Sequence, residues 1–273
     1  MKRFEGKVVL VTGGARGQGR SHALRFAAEG ASVIALDICE DIGSVPYSLA
    51  TSDDLAKTLT DLESYGRPMW GQEVDVRDEE GLSTAIEAAV AQTGPIDVVV
   101  ANAGIVSFGT VNELTLAQWN DVISTNLTGV WLTCKVALSH MPTAGSIVMT
   151  ASAAAIRPHP NTAHYSAAKA GVVALTAAMA AELAPRGIRV NCVCPTTVNS
   201  PMFMNQSMFN LFCPDIDSPT VEDVRPRAAE LNLLPTPWIE ADDISSMIAY
   251  LASDEARFIT GAAIPVDAGL LVK

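Results

Sequence analysis

Short runs of apolar and often β-branched residues recur along the chain, separated by longer stretches in which apolar positions follow a helical spacing. Runs without polar interruption are typical of strands buried on both faces of a parallel sheet. The predicted strands are 8–11, 31–36, 68–74, 96–100, 146–149, 188–193 and 263–266. The predicted helices are 19–30, 53–66, 78–93, 115–140, 164–184 and 241–252. This alternation predicts an α/β fold with a doubly wound parallel sheet and right-handed crossovers.

The first strand runs into a glycine-rich turn with the spacing Thr-Gly-x-x-x-Gly-x-Gly. Gly13, Gly17 and Gly19 would let backbone N–H groups approach a pyrophosphate at the positive end of the following helix. The spacing differs from the G-x-G-x-x-G of the general dinucleotide fingerprint. Turns of this kind also occur for purely steric reasons, so the turn alone leaves both interpretations open.

Asp37 ends the second strand, at about the 20-residue distance from the turn at which an acidic side chain binds the adenosine ribose in β-α-β units. A β-α-β unit with both the glycine turn and this acid is hard to explain by core packing alone. The two features together predict a dinucleotide site at the carboxyl end of the sheet.

Two segments interrupt the regular alternation. Residues 38–52 lack a clear periodicity and are long for a connection between a strand and a helix. We expect them beside the adenosine end of the dinucleotide, although an ordinary surface insertion has the same pattern. Residues 199–237 combine several prolines with apolar residues such as Met202, Phe203 and Phe212. This composition is typical of a substrate lid, and a pair of amphipathic helices that only covers the core is the alternative.

Composition narrows the classes of function. Hydrophobic residues make up 49% of the chain and charged residues 18%, which excludes an intrinsically disordered chain. The formal net charge of -12 argues against nucleic acid and anionic membranes as partners. No signal peptide or apolar run of membrane-spanning length is recognised, so we expect a cytoplasmic protein. The five cysteines form no C-x-x-C pair and the four histidines show no ligand spacing, so neither disulfides nor a metal site is predicted.

Four polar residues suggest chemistry at the same edge of the sheet. Tyr165 and Lys169 are four residues apart on one predicted helix and share a face. Because a nearby cation favours the ionised form of a phenol, we expect Lys169 to make Tyr165 a usable proton acceptor. Ser152 follows the fifth strand, where ligands of open α/β sheets bind, and its hydroxyl can donate to a substrate oxygen. Asn126 lies in an otherwise helical stretch, where its side chain competes for backbone hydrogen bonds.

Together these features resemble the short-chain dehydrogenase/reductase family over about residues 5–270. The resemblance rests on Thr12-Gly13-x-x-x-Gly17-x-Gly19, Asp75-Val76, Asn102-Ala103-Gly104, Asn126, Ser152, Tyr165 and Lys169. It implies a single-domain Rossmann-type fold over residues 1–273. In that fold, residues 38–52 would be an insertion over the cofactor and residues 199–237 a substrate lid.

The resemblance also implies a role for each matching residue. Tyr165 would be the general base in alcohol oxidation and the general acid in ketone reduction, while Ser152 would orient the substrate oxygen. Lys169 would bind the nicotinamide ribose, and Asn126 would hold a water that relays protons to solvent. The expected cofactor-binding residues are Gly13, Arg16, Gly17, Gln18, Gly19, Asp37, Asp75, Val76, Asn102, Ala103, Gly104, Tyr165, Lys169, Pro195 and Val198.

Two positions depart from the family pattern. Ala101 stands where the family often has asparagine, which is a mild change. Thr196 follows Pro195 where glycine is common, so the expected nicotinamide contacts carry over less directly.

The choice between NAD and NADP depends on two residues. Arg16 occupies a position at which NADP-preferring members of the family often carry a basic residue. Asp37 opposes the binding of NADP, because a carboxylate at the ribose hydroxyls would repel a 2′-phosphate at short range. We predict NAD.

A narrower resemblance concerns residues 38–52, which are similar to the insertion of the mycofactocin-associated, carveol-dehydrogenase-like branch. The strings that carry it include Asp37-Ile38-Cys39-Glu40-Asp41-Ile42, Gly17-Gln18-Gly19-Arg20-Ser21-His22 and Pro195-Thr196-Thr197-Val198-Asn199. This branch implies NAD that stays bound between turnovers and passes electrons to a separate redox carrier. An extra loop over the adenosine would slow dissociation. The family further implies a homotetramer assembled through the helices that contain Asn126 and Tyr165.

From these observations we predict an NAD-dependent enzyme that interconverts a secondary alcohol and a ketone. The apolar composition of residues 199–237 favours an apolar substrate, of a cyclic or terpenoid kind. Two alternatives stay open: a 3-oxoacyl thioester reductase of the same fold, and a nicotinamide-sensing protein without turnover.

Overall fold

The computed structural model describes residues 2–273. Its strands are β1 (Val8–Thr12), β2 (Ser32–Asp37), β3 (Met69–Glu73), β4 (Val98–Ala101), β5 (Ser146–Thr150), β6 (Arg189–Pro195), β7 (Val198–Asn199), β8 (Ile239–Glu240) and β9 (Ala263–Val266). Seven of them form one parallel sheet in the order β3-β2-β1-β4-β5-β6-β9. The strand order reverses between β1 and β4, which opens a crevice at the carboxyl ends of these strands. The predicted doubly wound parallel sheet is confirmed.

Helices cover both faces of the sheet. They are α1 (Gly17–Ala28), α2 (Ser52–Glu63), α3 (Glu79–Thr93), α4 (Leu116–Ile123), α5 (Gly129–Ala137), α6 (Ala163–Leu183), α7 (Gln206–Phe212), α8 (Val221–Ala229) and α9 (Ala241–Ala252). Alternate residues of a strand point to opposite faces. Val9 and Val11 therefore pack in a core with α1 and α9, whereas Val8 and Leu10 pack in a second core with α3, α5 and α6.

The interrupted helix predicted over 115–140 is confirmed in detail. Helix α4 ends at Ile123, a π-helical turn occupies Ser124–Thr128, and α5 begins at Gly129. A Cβ atom at Gly129 would lie 2.6 Å from Val76 Cγ2, so glycine lets the helix approach the loop after β3. The wider turn places Asn126 on the side of the helix that faces the crevice loops.

Several local details differ from the sequence-based expectation. Thr51, not Ser52, caps α2, because its hydroxyl accepts the N–H of Asp54 while the Asp54 carboxylate accepts the N–H of Thr51. The two-residue strands β7 and β8 pair in parallel and were not predicted. Pro226 lies inside α8, so proline did not end helical structure there.

One helix has the length and apolar composition of a membrane span, contrary to the expectation that no such run exists. Over Ala163–Arg186 the mean hydropathy reaches 1.4. This stretch is α6, which contributes Val172, Met179 and Leu183 to one of the two sheet cores. Its composition is accounted for by that packing.

Candidate functional site

A cavity of about 620 Å³ lies at the carboxyl ends of the central strands. Its walls come from the loops after β1, β2, β4, β5 and β6 and from residues 38–50 and 200–231. Of the predicted site residues, all but Asn126 line it: Gly13, Arg16, Gly17, Gln18, Gly19, Asp37, Asp75, Val76, Asn102, Ala103, Gly104, Ser152, Tyr165, Lys169, Pro195 and Val198. The fold therefore brings the separate sequence motifs into one chamber.

The glycine turn is shaped by steric demands that only glycine meets. Gly13 and Gly17 have φ values of +67° and +55°, in the left-handed region. A Cβ atom at Gly19 would lie 1.9 Å from the carbonyl oxygen of Gly13. Thr12 Oγ1 accepts the N–H groups of Asn102 and Ala103 at 3.1 and 3.2 Å, which joins this turn to the loop after β4.

Asp37 lines the cavity beside the glycine turn, where the adenosine ribose is expected. Its carboxylate accepts the N–H of Ala15 at 3.0 Å and is nearly buried. Burial raises the pKa of this carboxyl, while backbone hydrogen bonds and the charge of Arg16 oppose the rise. The Arg16 guanidinium donates to the carbonyl oxygen of Ser48 at 2.5 Å, so it is engaged with the insertion. This arrangement leaves an acid, not a base, for the ribose hydroxyls.

Ser152, Tyr165 and Lys169 meet at the centre of the cavity. Lys169 is 3% exposed and its Nζ donates to the carbonyl oxygen of Thr150 at 2.7 Å. Burial lowers the pKa of Lys169 to about 8. Ser152 Oγ accepts the N–H of Ala154 at 3.1 Å, so its own proton remains available for donation.

The pKa of Tyr165 differs from the expectation that Lys169 would lower it. Burial raises the pKa of the phenol, and a hydrogen bond with Ser152 partly opposes the rise. Lys169 Nζ lies 5.8 Å from the centre of the Tyr165 ring and is directed to Thr150. Tyr165 therefore holds its proton more firmly than an exposed tyrosine does.

Asn126 lies behind the cavity wall and is fully buried. Its amide group pairs with the backbone of Ile105: Oδ1 accepts the N–H and Nδ2 donates to the carbonyl oxygen, both at 2.8 Å. A Cβ atom at Gly104 would lie 3.3 Å from Asn126 Oδ1 and 3.5 Å from Lys169 Nζ. The Asn126 side chain thus ties the loop after β4 to the π-helical turn between α4 and α5.

Residues 38–52, the insertion segment, line part of the cavity through individual contacts that the sequence did not predict. Ile42 and Leu49 are buried in a cluster with Ile105, and Tyr47 packs beside that cluster. The N–H of Val106 donates to the Tyr47 hydroxyl at 3.2 Å. These contacts join residues distant in sequence, so periodicity gave no signal for them.

Residues 199–237, the proline-rich segment, contribute much of the apolar wall of the cavity. Phe203, Val224 and Ala228 are buried in a cluster of their own, in which the Phe203 ring meets Phe212 edge to face at 5.4 Å. The apolar lining residues from this segment are Met202, Phe203, Met208, Leu211, Phe212 and Leu231. His159 and Leu270 also line the cavity and were not predicted.

The cavity fits a nicotinamide dinucleotide. The glycine turn leaves a cradle that a Cβ atom at position 19 would fill, and the amino end of α1 adds the positive end of its dipole. Within residues 2–273, the buried atoms Gln18 Oε1 and Thr125 Oγ1 have no hydrogen-bond partner, and both residues line the cavity. Unpaired polar atoms at a cavity wall indicate a polar ligand.

Comparison with known proteins agrees with this geometry. Residues 7–210 match the family described as short chain dehydrogenase. The chain belongs to this family. It is 47% identical over 277 residues to the (-)-trans-carveol dehydrogenase of Rhodococcus erythropolis, with 100% of both chains covered.

Solved structures of this family extend the similarity. Carveol dehydrogenase from Mycobacterium avium in complex with NAD has a TM-score of 0.98 and 45% identity, covering 100% of both chains. A short chain dehydrogenase from Mycobacterium paratuberculosis bound to NAD has a TM-score of 0.90 and 37% identity, covering 99% of this chain and 100% of that one. The predictions of an oxidoreductase of the short-chain dehydrogenase family and of NAD as cofactor are confirmed.

Proposed function

We propose that this protein oxidises an apolar, cyclic secondary alcohol of the terpenoid class to its ketone, with Tyr165 as general base. The observation that carries the proposal is the position of Tyr165 and Ser152. They line the same cavity as the glycine turn and the apolar residues of the proline-rich segment. The similarity to carveol dehydrogenases supports the same substrate class.

Each residue has a defined task in the proposed reaction. The Ser152 hydroxyl donates to the substrate oxygen and orients it toward Tyr165. The Tyr165 phenolate takes the hydroxyl proton, and in ketone reduction the phenol returns it. Bound NAD supplies a hydride acceptor for the carbinol carbon. Lys169 contributes positive charge beside the phenolate and a donor for the nicotinamide ribose.

We further propose that NAD stays bound between turnovers and that a separate redox carrier removes its electrons. The insertion segment is tied to the cavity on several sides: Ser44 Oγ donates to the Asp121 carboxylate at 2.7 Å, and Arg16 donates to Ser48. Ser207 Oγ, in the proline-rich segment, donates to the carbonyl oxygen of Pro46 at 2.8 Å. Release of a cofactor beneath these segments would require several contacts to break together.

A homotetramer is also part of this proposal. Leu116 and Trp119 on α4 and Trp131 on α5 are exposed large apolar side chains, near the π-helical turn that contains Asn126. Association through these helices would remove them from water. Sedimentation equilibrium is expected to give four chains, and a monomer would contradict the assembly.

The first experiment measures bound cofactor and turnover on one preparation. Heat denaturation of protein purified without added nucleotide is expected to release about one equivalent of NAD(H), identified by mass spectrometry. Turnover of cyclic secondary alcohols is then followed with an artificial electron acceptor. In Tyr165→Phe we expect turnover to fall by about 10³-fold, because general base catalysis is lost while the ring remains.

The alternative functions give different results in this experiment. Turnover of a 3-oxoacyl thioester in preference to cyclic alcohols would favour the thioester reductase. NAD(H) binding without turnover of either class would favour a nicotinamide sensor. An empty protein that turns over alcohols only with free NAD would refute retention but not the dehydrogenase.

A further inference from the structure

Tyr47 is the one aromatic residue of the insertion segment, and it lies inside the cavity. It packs against the buried cluster of Ile42, Leu49 and Ile105, and Tyr165 packs against the same cluster. An insertion that only covered the surface would not need to direct an aromatic side chain into the cavity wall.

The Tyr47 hydroxyl has an unused proton. A phenol can accept hydrogen bonds and donate one. The N–H of Val106 occupies an acceptor position at 3.2 Å, and within residues 2–273 no acceptor for the Tyr47 proton is found. Burial raises the pKa of Tyr47, so the group is a neutral donor throughout the physiological range. A buried donor at a cavity wall calls for an acceptor on the ligand.

The surroundings of Tyr47 indicate which part of the ligand it would meet. Its hydroxyl accepts the N–H of Val106, just past the Asn102-Ala103-Gly104 loop, and the next residue, Ser48, accepts the Arg16 guanidinium of the glycine turn. Tyr165 packs against the same apolar cluster as Tyr47. Under the proposed function the pyrophosphate lies at the glycine turn and the nicotinamide at Tyr165, so these contacts point to the nicotinamide ribose as the neighbour of the hydroxyl.

We propose that Tyr47 is a cofactor-binding residue whose hydroxyl donates a hydrogen bond to the nicotinamide ribose or its phosphate. This assignment rests on the proposed function, because it requires NAD in the cavity with its nicotinamide at Tyr165. It gives the insertion segment a direct contact with the reacting half of the cofactor, in addition to its position beside the adenosine.

The neighbours of Tyr47 hold it in this position. Pro46 accepts the Ser207 hydroxyl of the proline-rich segment, and Ser48 accepts the Arg16 guanidinium of the glycine turn. Tyr47 thus lies between two residues whose carbonyl oxygens are hydrogen-bonded, one to the proline-rich segment and the other to the glycine turn. A donor that is held in place before binding loses little conformational entropy when the ligand arrives.

The test compares Tyr47→Phe with Tyr65→Phe, a control at an exposed tyrosine. The dissociation rate of NAD(H) and the affinity for AMP are measured on the wild type and both variants. AMP contains the adenosine end and lacks the nicotinamide ribose. In Y47F we expect NAD(H) to dissociate about tenfold faster, as for loss of a hydrogen bond to a polar or charged group, with AMP affinity unchanged within about twofold.

The AMP measurement separates this contact from a general loosening of the loop. Tyr47→Phe also removes the acceptor of the Val106 N–H, and a loosened insertion segment would weaken AMP and NAD(H) alike. Equal losses for both ligands, or an unchanged NAD(H) dissociation rate, would overturn the assignment.

Failure of the proposed function has a different signature. A wild type that binds NAD(H), shows the faster release in Y47F and oxidises no secondary alcohol would refute the alcohol dehydrogenase while supporting the Tyr47 contact. A wild type that binds no NAD(H) would overturn both.

Discussion

The glycine turn and the proline-rich segment line one cavity and approach each other at Gly17, where a Cβ atom would lie 3.6 Å from Pro201 Cδ, but different interactions hold them. The turn has no room for a side chain at Gly19, and Thr12 ties its backbone to the loop after β4. The proline-rich segment is held by its own apolar cluster around Phe203, apart from the two cores of the sheet. The first region accepts one backbone geometry, whereas the second tolerates changes of shape.

This difference corresponds to what each region binds under the proposed function. All relatives that use a dinucleotide bind the same molecule. A backbone cradle with fixed N–H directions therefore suits this ligand. An apolar substrate is recognised by shape and buried area, which the side chains of a separately packed segment can adjust. Changes in the two regions should therefore affect different measurements.

The largest effect is expected from Gly19→Ala. The added methyl group would lie 1.9 Å from the carbonyl oxygen of Gly13, so the turn must open and its N–H groups must move. We expect NAD affinity to fall on the order of 100-fold or more, measured by titration calorimetry. Gly43→Ala is the matched control, because a Cβ atom at Gly43 meets nothing within 4 Å. Equal affinity in G19A and G43A would show that the turn is not a cradle.

The second prediction concerns pH and tests the chemistry where the two regions meet. Burial raises the pKa of Tyr165, and alcohol oxidation needs the phenolate. Because the phenolate forms as the pH increases, kcat/KM for oxidation should rise about tenfold per pH unit while the protein loses one proton. Because burial lowers the pKa of Lys169 to about 8, the rise should level off near that pH. Above that pH, one of the two protons on the Tyr165–Lys169 pair has already been lost. The remaining proton moves between the two groups without exchange with solvent, so its position no longer depends on pH.

Lys169→Met provides the comparison for this pH profile. Without the ammonium group only Tyr165 titrates, so the rise in kcat/KM should continue to higher pH at a lower absolute rate. Stopped assays of the wild type and of Lys169→Met over a pH series measure the two profiles of kcat/KM. A wild-type profile that is flat below the pKa of Lys169, or one that levels off at the same pH in K169M, would contradict the assignment.

The sequence was sufficient for the regions whose signals are local. Buried strands produce unbroken apolar runs, and the positions of Gly19, Asp37 and Tyr165 follow from spacing along one or two elements. The interruption at Asn126 was also visible, because asparagine and glycine are poor residues for the middle of a helix.

The remaining features depend on contacts between distant residues. Strands β7 and β8 have two residues each, too few for a period to appear. The pairing of Tyr47 with Val106 and of Ser207 with Pro46 joins residues that no local pattern connects. The raised pKa of Tyr165 follows from burial in the folded protein and outweighs the local Tyr-x-x-x-Lys spacing.

Proline at position 226 shows how tertiary context overrides a local rule. Proline lacks an N–H and disfavours the helical conformation of the residue before it, so helices commonly end at such a position. Helix α8 nevertheless runs through it, with Thr220 and Asp223 forming a capping box at its start. Val224 and Ala228 are fully buried against Phe203, and this packing offsets the missing hydrogen bond.

The smallest effect is expected from Phe203→Ala, with Phe26→Ala as its counterpart in the sheet core. Both side chains are buried, and each makes an edge-to-face contact: Phe203 with Phe212 and Phe26 with Phe4. Phe26→Ala should lower the free energy of unfolding by about 3–5 kcal/mol and leave the KM for an apolar alcohol unchanged. Phe203→Ala should raise this KM about fivefold, equivalent to ~1 kcal/mol of binding, with a smaller loss of global stability.

This pair of variants tests whether the proline-rich segment is energetically separate from the sheet. If the segment opens locally, its weakened packing affects substrate binding before it affects global unfolding. Denaturant titration and steady-state kinetics on both variants measure the two quantities. Equal losses of unfolding free energy, with KM unchanged in Phe203→Ala, would mean that the segment belongs to the same cooperative core as Phe26. The apolar end of the cavity would then be as rigid as the glycine turn, and substrate choice would be fixed by its static shape.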